Sequence, residues 1–385
     1  MKIRAAVLYE QGKPMPYAKS CPFVVEEVEL DGPGPGELLV QIAAAGLCHS
    51  DLSAVAGMRA RAVPTVGGHE SSAVVREVGP GVTCFKPGDH VVMVFVASCG
   101  HCVHCYSGRP NLCESSWDAR TRGTLQSGAR RLHIGKQVLN HWSGLSCFAE
   151  YAVVSQNSLV RIDPDIPLED AAGFGCAVIT GVGAVVNTAK VPFGSTVAVV
   201  GLGGVGLSAL LGAHACGASR VIAVDISEDK LRLARELGAT DTFNAKDPKC
   251  VEAIREATSG GVAYAFEMSG VSAALSTAYS ILRRGGMVVV AGLPDPKQTF
   301  AVPISSMVSD ERCVRGSYMG SCVPQRDIPL FVDLYRRGRL PVNRLRSGTV
   351  SLETINEGFD RLARGETVRD ILVFKESQVK AVKMT

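Results

Sequence analysis

The chain has 385 residues, 46% hydrophobic and 20% charged, with a net charge of +3. That balance excludes an intrinsically disordered chain, has room for two domains, and offers no basic surplus for nucleic acid or an anionic membrane, leaving small-molecule chemistry. The N-terminus has no apolar run long enough for a signal peptide, so the cytoplasm is expected, and thirteen cysteines in a reducing compartment point to metal ligands rather than disulfides.

In chain order, residues 1 to about 160 read mostly as strands: Val24 to Leu30, a Gly/Pro turn at 31 to 36, Leu38 to Ala43, Ser72 to Val78 and His90 to Val96. Between them stand Cys48-His49-Ser50-Asp51 and Gly67-Gly68-His69-Glu70. Singly, each is weak, since a histidine after two glycines is usually a turn or core residue. Cys99, Cys102, Cys105 and Cys113 follow at C-x2-C-x2-C-x7-C spacing. Four thiolates at ~2.3 Å fill a tetrahedral zinc and leave no place for water, so this site reads as structural. No basic stripe with interleaved aromatics surrounds it, against a nucleic-acid ribbon. His101 and His104, inside the cluster, are expected to be exposed.

The most apolar stretch, Ala171 to Val186, is shorter than the ~20 residues of a spanning helix and is broken by glycines, so a buried helix joining two domains is expected. It carries Cys176. Two thiolates and one imidazole, Cys48, Cys176 and His69, make a zinc site with an open fourth position, with Asp51 and Glu70 as carboxylates to orient the imidazole.

From about residue 194 strands and helices alternate: Thr196 to Val200, Arg220 to Asp225, Thr242 to Asn244, Ala263 to Glu267 and Gly286 to Ala291, with helical segments Glu228 to Leu237 and Ala273 to Leu282. This predicts a parallel, doubly wound sheet. Gly201, Gly203 and Gly206 have G-x-G-x-x-G spacing between the first strand and a helix from Leu207 to Cys216. Such glycines allow a tight turn, close approach to a pyrophosphate and helix packing. Asp225 ends the next strand, where an acid accepts from ribose hydroxyls and repels a 2′-phosphate, so NAD is read rather than NADP. Helices Asp327 to Arg336 and Glu353 to Ala363, the strand Asp370 to Phe374 and a polar tail from Lys375 close the chain.

With these residues the chain resembles the zinc-containing medium-chain alcohol dehydrogenases over residues 1 to about 375, closest in layout to the long-insert, liver-type branch. The resemblance implies an α/β protein in which a GroES-like, β-rich catalytic domain, residues 1–177 and 320–385, encloses a doubly wound Rossmann domain, residues 178–319. Cys48, His69 and Cys176 match the catalytic zinc ligands and the four clustered cysteines the structural zinc lobe, giving two zincs. Ser50 matches the hydroxyl that bonds the substrate oxygen, Lys230 a residue at the adenosine ribose, and His49 and Arg369 contacts to the pyrophosphate. Phe95, Trp142, Leu293 and Tyr318 are expected to line the pocket, with Trp117 nearby.

Two positions depart from the family. Ala73 stands where a glycine is usual, and a local backbone adjustment is expected. Ser53 replaces a proton-relaying histidine. The resulting expectation is reversible oxidation of primary or secondary alcohols by NAD, with aromatic or extended apolar substrates, in a homodimer or homotetramer with neither nucleic acid nor membrane as partner. Competing readings are a glutathione-dependent formaldehyde dehydrogenase and a non-catalytic NAD-binding protein of this fold. The first would use Arg59, Arg61, Arg120 or Arg122, which are more simply solvated surface; the presence of all three open-site ligands argues against the second.

Overall fold

The computed structural model describes residues Met1–Phe374, so the expected polar tail from Lys375 lies outside the described residues. The described residues build two compact units, one of Met1–Gly175 with residues 346–374, the other of Cys176–Leu345.

In the first unit, strands Lys2–Leu8, Phe23–Leu30, Leu132–Ile134, Gln137–His141 and Thr65–Val66 close into a barrel, which leaves no edge strand unpaired. Ile3, Ala5 and Val7 follow the two-residue period of a strand and bury with Val28, Leu30 and Leu139 inside it. A seven-stranded sheet is organised on Glu37–Gly46, which pairs with Ser71–Val78, Tyr151–Ser155 and Asp370–Val373. Ala73 is fully buried, opposite Ile42 and Val91. The adjustment lies across from it, where the register shifts between Ile42 and Ala44. The strand from His90 stops at Met93, short of the expected Val96.

The second unit is a six-stranded parallel sheet in the order Asp241–Asn244, Arg220–Asp225, Thr196–Val200, Val262–Glu267, Leu282–Val290, Cys313–Gly316. It is doubly wound as expected, and strand order reverses between Thr196–Val200 and Val262–Glu267. Ala198, Val200, Ile222, Val224, Ala265 and Val288 form its core with Ile254 and Tyr279 from the helices.

Two expectations are corrected. Ala171 to Val186 is not one helix: it runs as Leu168–Ala171, a 3-10 turn Ala172–Gly175, a helix Ala177–Gly183 and a π turn Ala184–Ala189. The break is at Cys176, at φ −141° and ψ −70°. The backbone of Gly175 presses so closely on the end of strand His90–Met93 that a Cβ there would stand 2.2 Å from the Met93 carbonyl oxygen. The second boundary falls at Leu345 rather than 319. Helix Pro324–Arg336 belongs to the second unit, where Asn187 donates to Asp327 at 3.1 Å and the Cys322 thiol donates to the Ile179 carbonyl at 3.3 Å. Among the described residues no single helix is long and apolar enough to cross a membrane.

Candidate functional site

Strand Glu37–Gly46 delivers Cys48 to the start of helix His49–Val55, where Cys48 and Asp51 cap each other reciprocally. His69 follows two glycines that the packing requires. A Cβ on Gly67 would lie 2.6 Å from the Phe23 ring, and Gly68, at φ +92°, would bring one within 2.7 Å of Cys147 Sγ. Cys176 is peptide-bonded to Gly175, the residue at which the first unit's N-terminal segment ends. The ligand atoms of Cys48, His69 and Cys176 lie within 4.8 Å of one another, and all three residues are buried.

Asp51, fully buried, accepts from His69 Nδ1 at 2.7 Å through Oδ1 and from the Cys48 N–H at 3.3 Å through Oδ2. The bond holds the ring through Nδ1 and leaves Nε2, buried without a hydrogen-bond partner among the described residues, as the ligand atom. Burial disfavours the charged ring, but the Asp51 carboxylate and Cys48 outweigh it and push His69 up to about 10, so a metal at Nε2 would displace a proton from it. Burial raises Asp51 as well. Glu70 does not share the orienting role. It faces Arg369 Nη1 at 3.2 Å, and burial pushes its carboxyl up to about 7 against the pull of that guanidinium. Arg369, expected at the pyrophosphate, is 6% exposed and also donates to the Leu47 carbonyl at 3.0 Å.

Ser50 is half-buried and His49 exposed in the first turn of helix His49–Val55. The Ser53 hydroxyl donates to the His49 carbonyl at 2.8 Å, so its one proton is committed to the helix and only lone pairs remain for a relay. Phe95 meets His69 edge-on, with centroids 5.4 Å apart and planes at 83°. Trp142 is 1% exposed and packs on Phe23, so it is core rather than an open wall. Arg61 and Arg120 are not solvated surface. Both are half-buried, over the Trp142 ring at 5.2 Å and the Phe95 ring at 5.1 Å. Trp117 is exposed, with Arg120 5.7 Å from its ring. Leu293 and Tyr318 belong to the second unit, Leu293 49% exposed and Tyr318 half-buried.

Cys99, Cys102, Cys105 and Cys113 also bring their sulfurs within 4.8 Å of one another. The Cys99 N–H donates to Cys113 Sγ at 3.2 Å, and backbone N–H groups of Cys105 and Glu114 hold Cys102 down to about 6. Donors aimed at sulfur favour the thiolate a metal needs at Cys102, whereas burial pushes Cys105 up to about 12 and raises Cys113, so a metal would have to displace their protons. His101 is exposed and His104 half-buried.

At the glycine turn, a Cβ on Gly206 would collide with the Gly201 carbonyl oxygen at 1.8 Å, whereas one on Gly203 would meet nothing within 4 Å. The first fixes the helix against the turn, and the second leaves room for a ligand over the N-terminus of helix Gly204–Ala215. Asp225 is half-buried and accepts from the Leu202 N–H at 2.7 Å and the Ser227 N–H at 2.9 Å. Lys230 is half-buried in the following helix, Glu228–Glu236. A second strand-ending acid, Glu267, has no place in the sequence-derived site. Its position at the end of an apolar strand, like that of Asp225, was the available signal.

The model of the alcohol dehydrogenase GroES-like domain matches residues 34–164, and that of the zinc-binding dehydrogenase matches residues 204–337. An NDMA-dependent alcohol dehydrogenase of Amycolatopsis methanolica is 40% identical over 377 residues, covering 97% of this chain and 99% of that protein. The crystal structure of an alcohol dehydrogenase zinc-binding domain protein from Burkholderia ambifaria is similar with TM-score 0.91 and 36% identity, over 97% of this chain and 99% of that one. Benzyl alcohol dehydrogenase from Acinetobacter calcoaceticus gives TM-score 0.91 and 34% identity, over 97% and 100%.

Proposed function

This chain belongs to the zinc-containing medium-chain alcohol dehydrogenases, and we propose that it oxidises primary or secondary alcohols reversibly to aldehydes or ketones with NAD and two zincs. The observation that carries the reading is the buried set Cys48, His69 and Cys176, with His69 Nε2 lacking a hydrogen-bond partner among the described residues while Asp51 holds Nδ1. Zinc held by these three side chains would supply a Lewis acid for the alcohol, and NAD the hydride acceptor.

The chain's own residues do the rest. Ser50 accepts the substrate hydroxyl proton at Oγ while passing its own proton on toward the ribose hydroxyls of the dinucleotide, and Asp51 keeps the ring of His69 fixed through Nδ1. Asp225, with Lys230 nearby, receives the adenosine ribose, and its charge opposes a 2′-phosphate. Gly203 leaves space for the pyrophosphate, with His49 and Arg369 as its contacts, the latter shared with Glu70. Cys99, Cys102, Cys105 and Cys113 would close around the second zinc and tie down their loop. Phe95, set against His69, favours an aromatic or extended apolar alcohol, and the name of the Acinetobacter relative supports that choice.

The test is zinc content and NAD reduction over aliphatic and benzylic alcohols, on the intact protein and Cys176→Ser. The variant should lose activity and one of two zincs. One zinc in the intact protein, or an active variant, sinks the reading. A second reading follows from the name of the Amycolatopsis relative: turnover that depends on NDMA. Activity with NDMA and none with added NAD alone would select it.

A further inference from the structure

Glu267 ends strand Val262–Glu267, beside the reversal of strand order, and is 1% exposed. Its Oε1 accepts three hydrogen bonds from one loop: the Ser269 N–H at 2.7 Å, the Ser269 hydroxyl at 2.6 Å and the Gly270 N–H at 2.8 Å. Ser269 Oγ in turn accepts from the Val271 N–H at 3.2 Å, at the start of helix Ser272–Ser280. The Glu267 carbonyl takes the N–H groups of Ala291 and Gly292 at 3.0 and 3.1 Å. The neighbouring backbones are in close contact. A Cβ on Gly292 would lie 2.7 Å from Glu267 Oε2, one on Gly270 2.8 Å from the Leu293 carbonyl carbon, and one on Gly201 2.9 Å from Ser269 N. One residue therefore holds loop 268–271 between the glycine turn and loop 291–293.

A dinucleotide across a reversal of strand order lays one nucleotide on each half of the sheet. Asp225 marks the adenosine half. Loops 268–271 and 291–293 follow strands of the other half, where the nicotinamide nucleotide must lie. We propose that Glu267 is a positioning residue for the nicotinamide end of the cofactor, an inference that rests on the dinucleotide reading above. A carboxylate suits the task because charge-assisted bonds are shorter and stronger than neutral ones, which keeps the loop in one conformation before the cofactor arrives.

The test uses the intact protein and Glu267→Gln, which keeps the shape and one acceptor oxygen but removes the charge. Dissociation constants are measured for NADH, by its fluorescence, and for ADP-ribose, which lacks nicotinamide, by calorimetry. The NADH constant should rise about tenfold while that for ADP-ribose stays within about twofold. The thermal shift given by NADH should shrink and that given by ADP-ribose should not. Ser269→Ala, which removes one of the three donors, should act in the same direction by less, and it decides the matter if Glu267→Gln does not fold. A residue that only supports the fold would weaken both ligands alike, and that result, or no change for either, overturns the proposal. An intact protein that binds neither ligand overturns the dinucleotide reading, and this inference with it.

Discussion

Replacing Asp51 by Asn tests how the open site is oriented. Asp51 offers two acceptor oxygens and uses both, one toward His69 Nδ1 at 2.7 Å and the other toward the Cys48 N–H at 3.3 Å. An amide has one oxygen and one NH2, so in either orientation one of these donors faces another donor in a buried site. Leaving a buried donor unpaired costs about 1–3 kcal/mol. If the oxygen turns to Cys48, the NH2 group drives the His69 proton toward Nε2, the atom that must stay bare for a metal. Zinc affinity at Cys48, His69 and Cys176 should therefore fall ~10–100-fold. The assay is chelator competition on the zinc-loaded protein, with the four-cysteine lobe as internal control. Two release steps are expected, and only the open site's should move to lower chelator concentration. Unfolding would shift both steps, and unchanged midpoints for both would refute the orienting role of Asp51.

Asp225→Gly should lower the preference for NAD over NADP, as a ratio of kcat/KM values, by about tenfold or more, the size of one charge-assisted contact. Because Asp225 also holds the Leu202 and Ser227 N–H groups, NAD efficiency itself should drop too; an intact protein that already prefers NADP contradicts the assignment. His141 predicts acid sensitivity. Burial lowers it from 6.5 to about 4, and its Nε2 accepts from the Arg131 N–H at 3.0 Å. The folded chain thus needs the neutral ring, while the unfolded chain takes up a proton below pH 6.5, so stability falls as pH falls from 6.5 toward 4. The full effect is about 3 kcal/mol. Urea unfolding against pH should show a flatter profile for His141→Gln, and parallel profiles would remove the claim.

How much could be read in advance followed from how local each feature is. The four-cysteine lobe and the turn from Thr196 to Asp225 are contiguous, so spacing alone brings their groups together. Cys48, His69 and Cys176 are far apart in sequence, and only their joint occurrence and the family resemblance connected them. The break at Cys176 comes from Gly175 pressing on Met93, a contact between distant residues that no periodicity records. The turn of Glu70 toward Arg369 and the burial of Trp142 beside Phe23 are likewise tertiary outcomes. Composition could rank those residues as polar or aromatic but could not say which neighbour each would find.

Asp225 and Glu267 show the same limit from the other side, because both are acids that end parallel strands and both accept the N–H two residues on, at Ser227 and Ser269. Sequence alone cannot separate a ligand-binding acid from one that holds a loop. Burial does. Asp225 remains half-buried, so a hydroxyl arriving from solvent can reach its carboxylate. Glu267 is 1% exposed, and three donors from its own loop converge on one oxygen. A carboxylate withdrawn from solvent in this way contributes through the backbone it fixes rather than through a ligand it touches, since its desolvation is offset only while those donors stay in place. On the proposed dinucleotide reading the two strand ends divide the work, one binding the adenosine half directly and the other shaping the loops on which the second half rests.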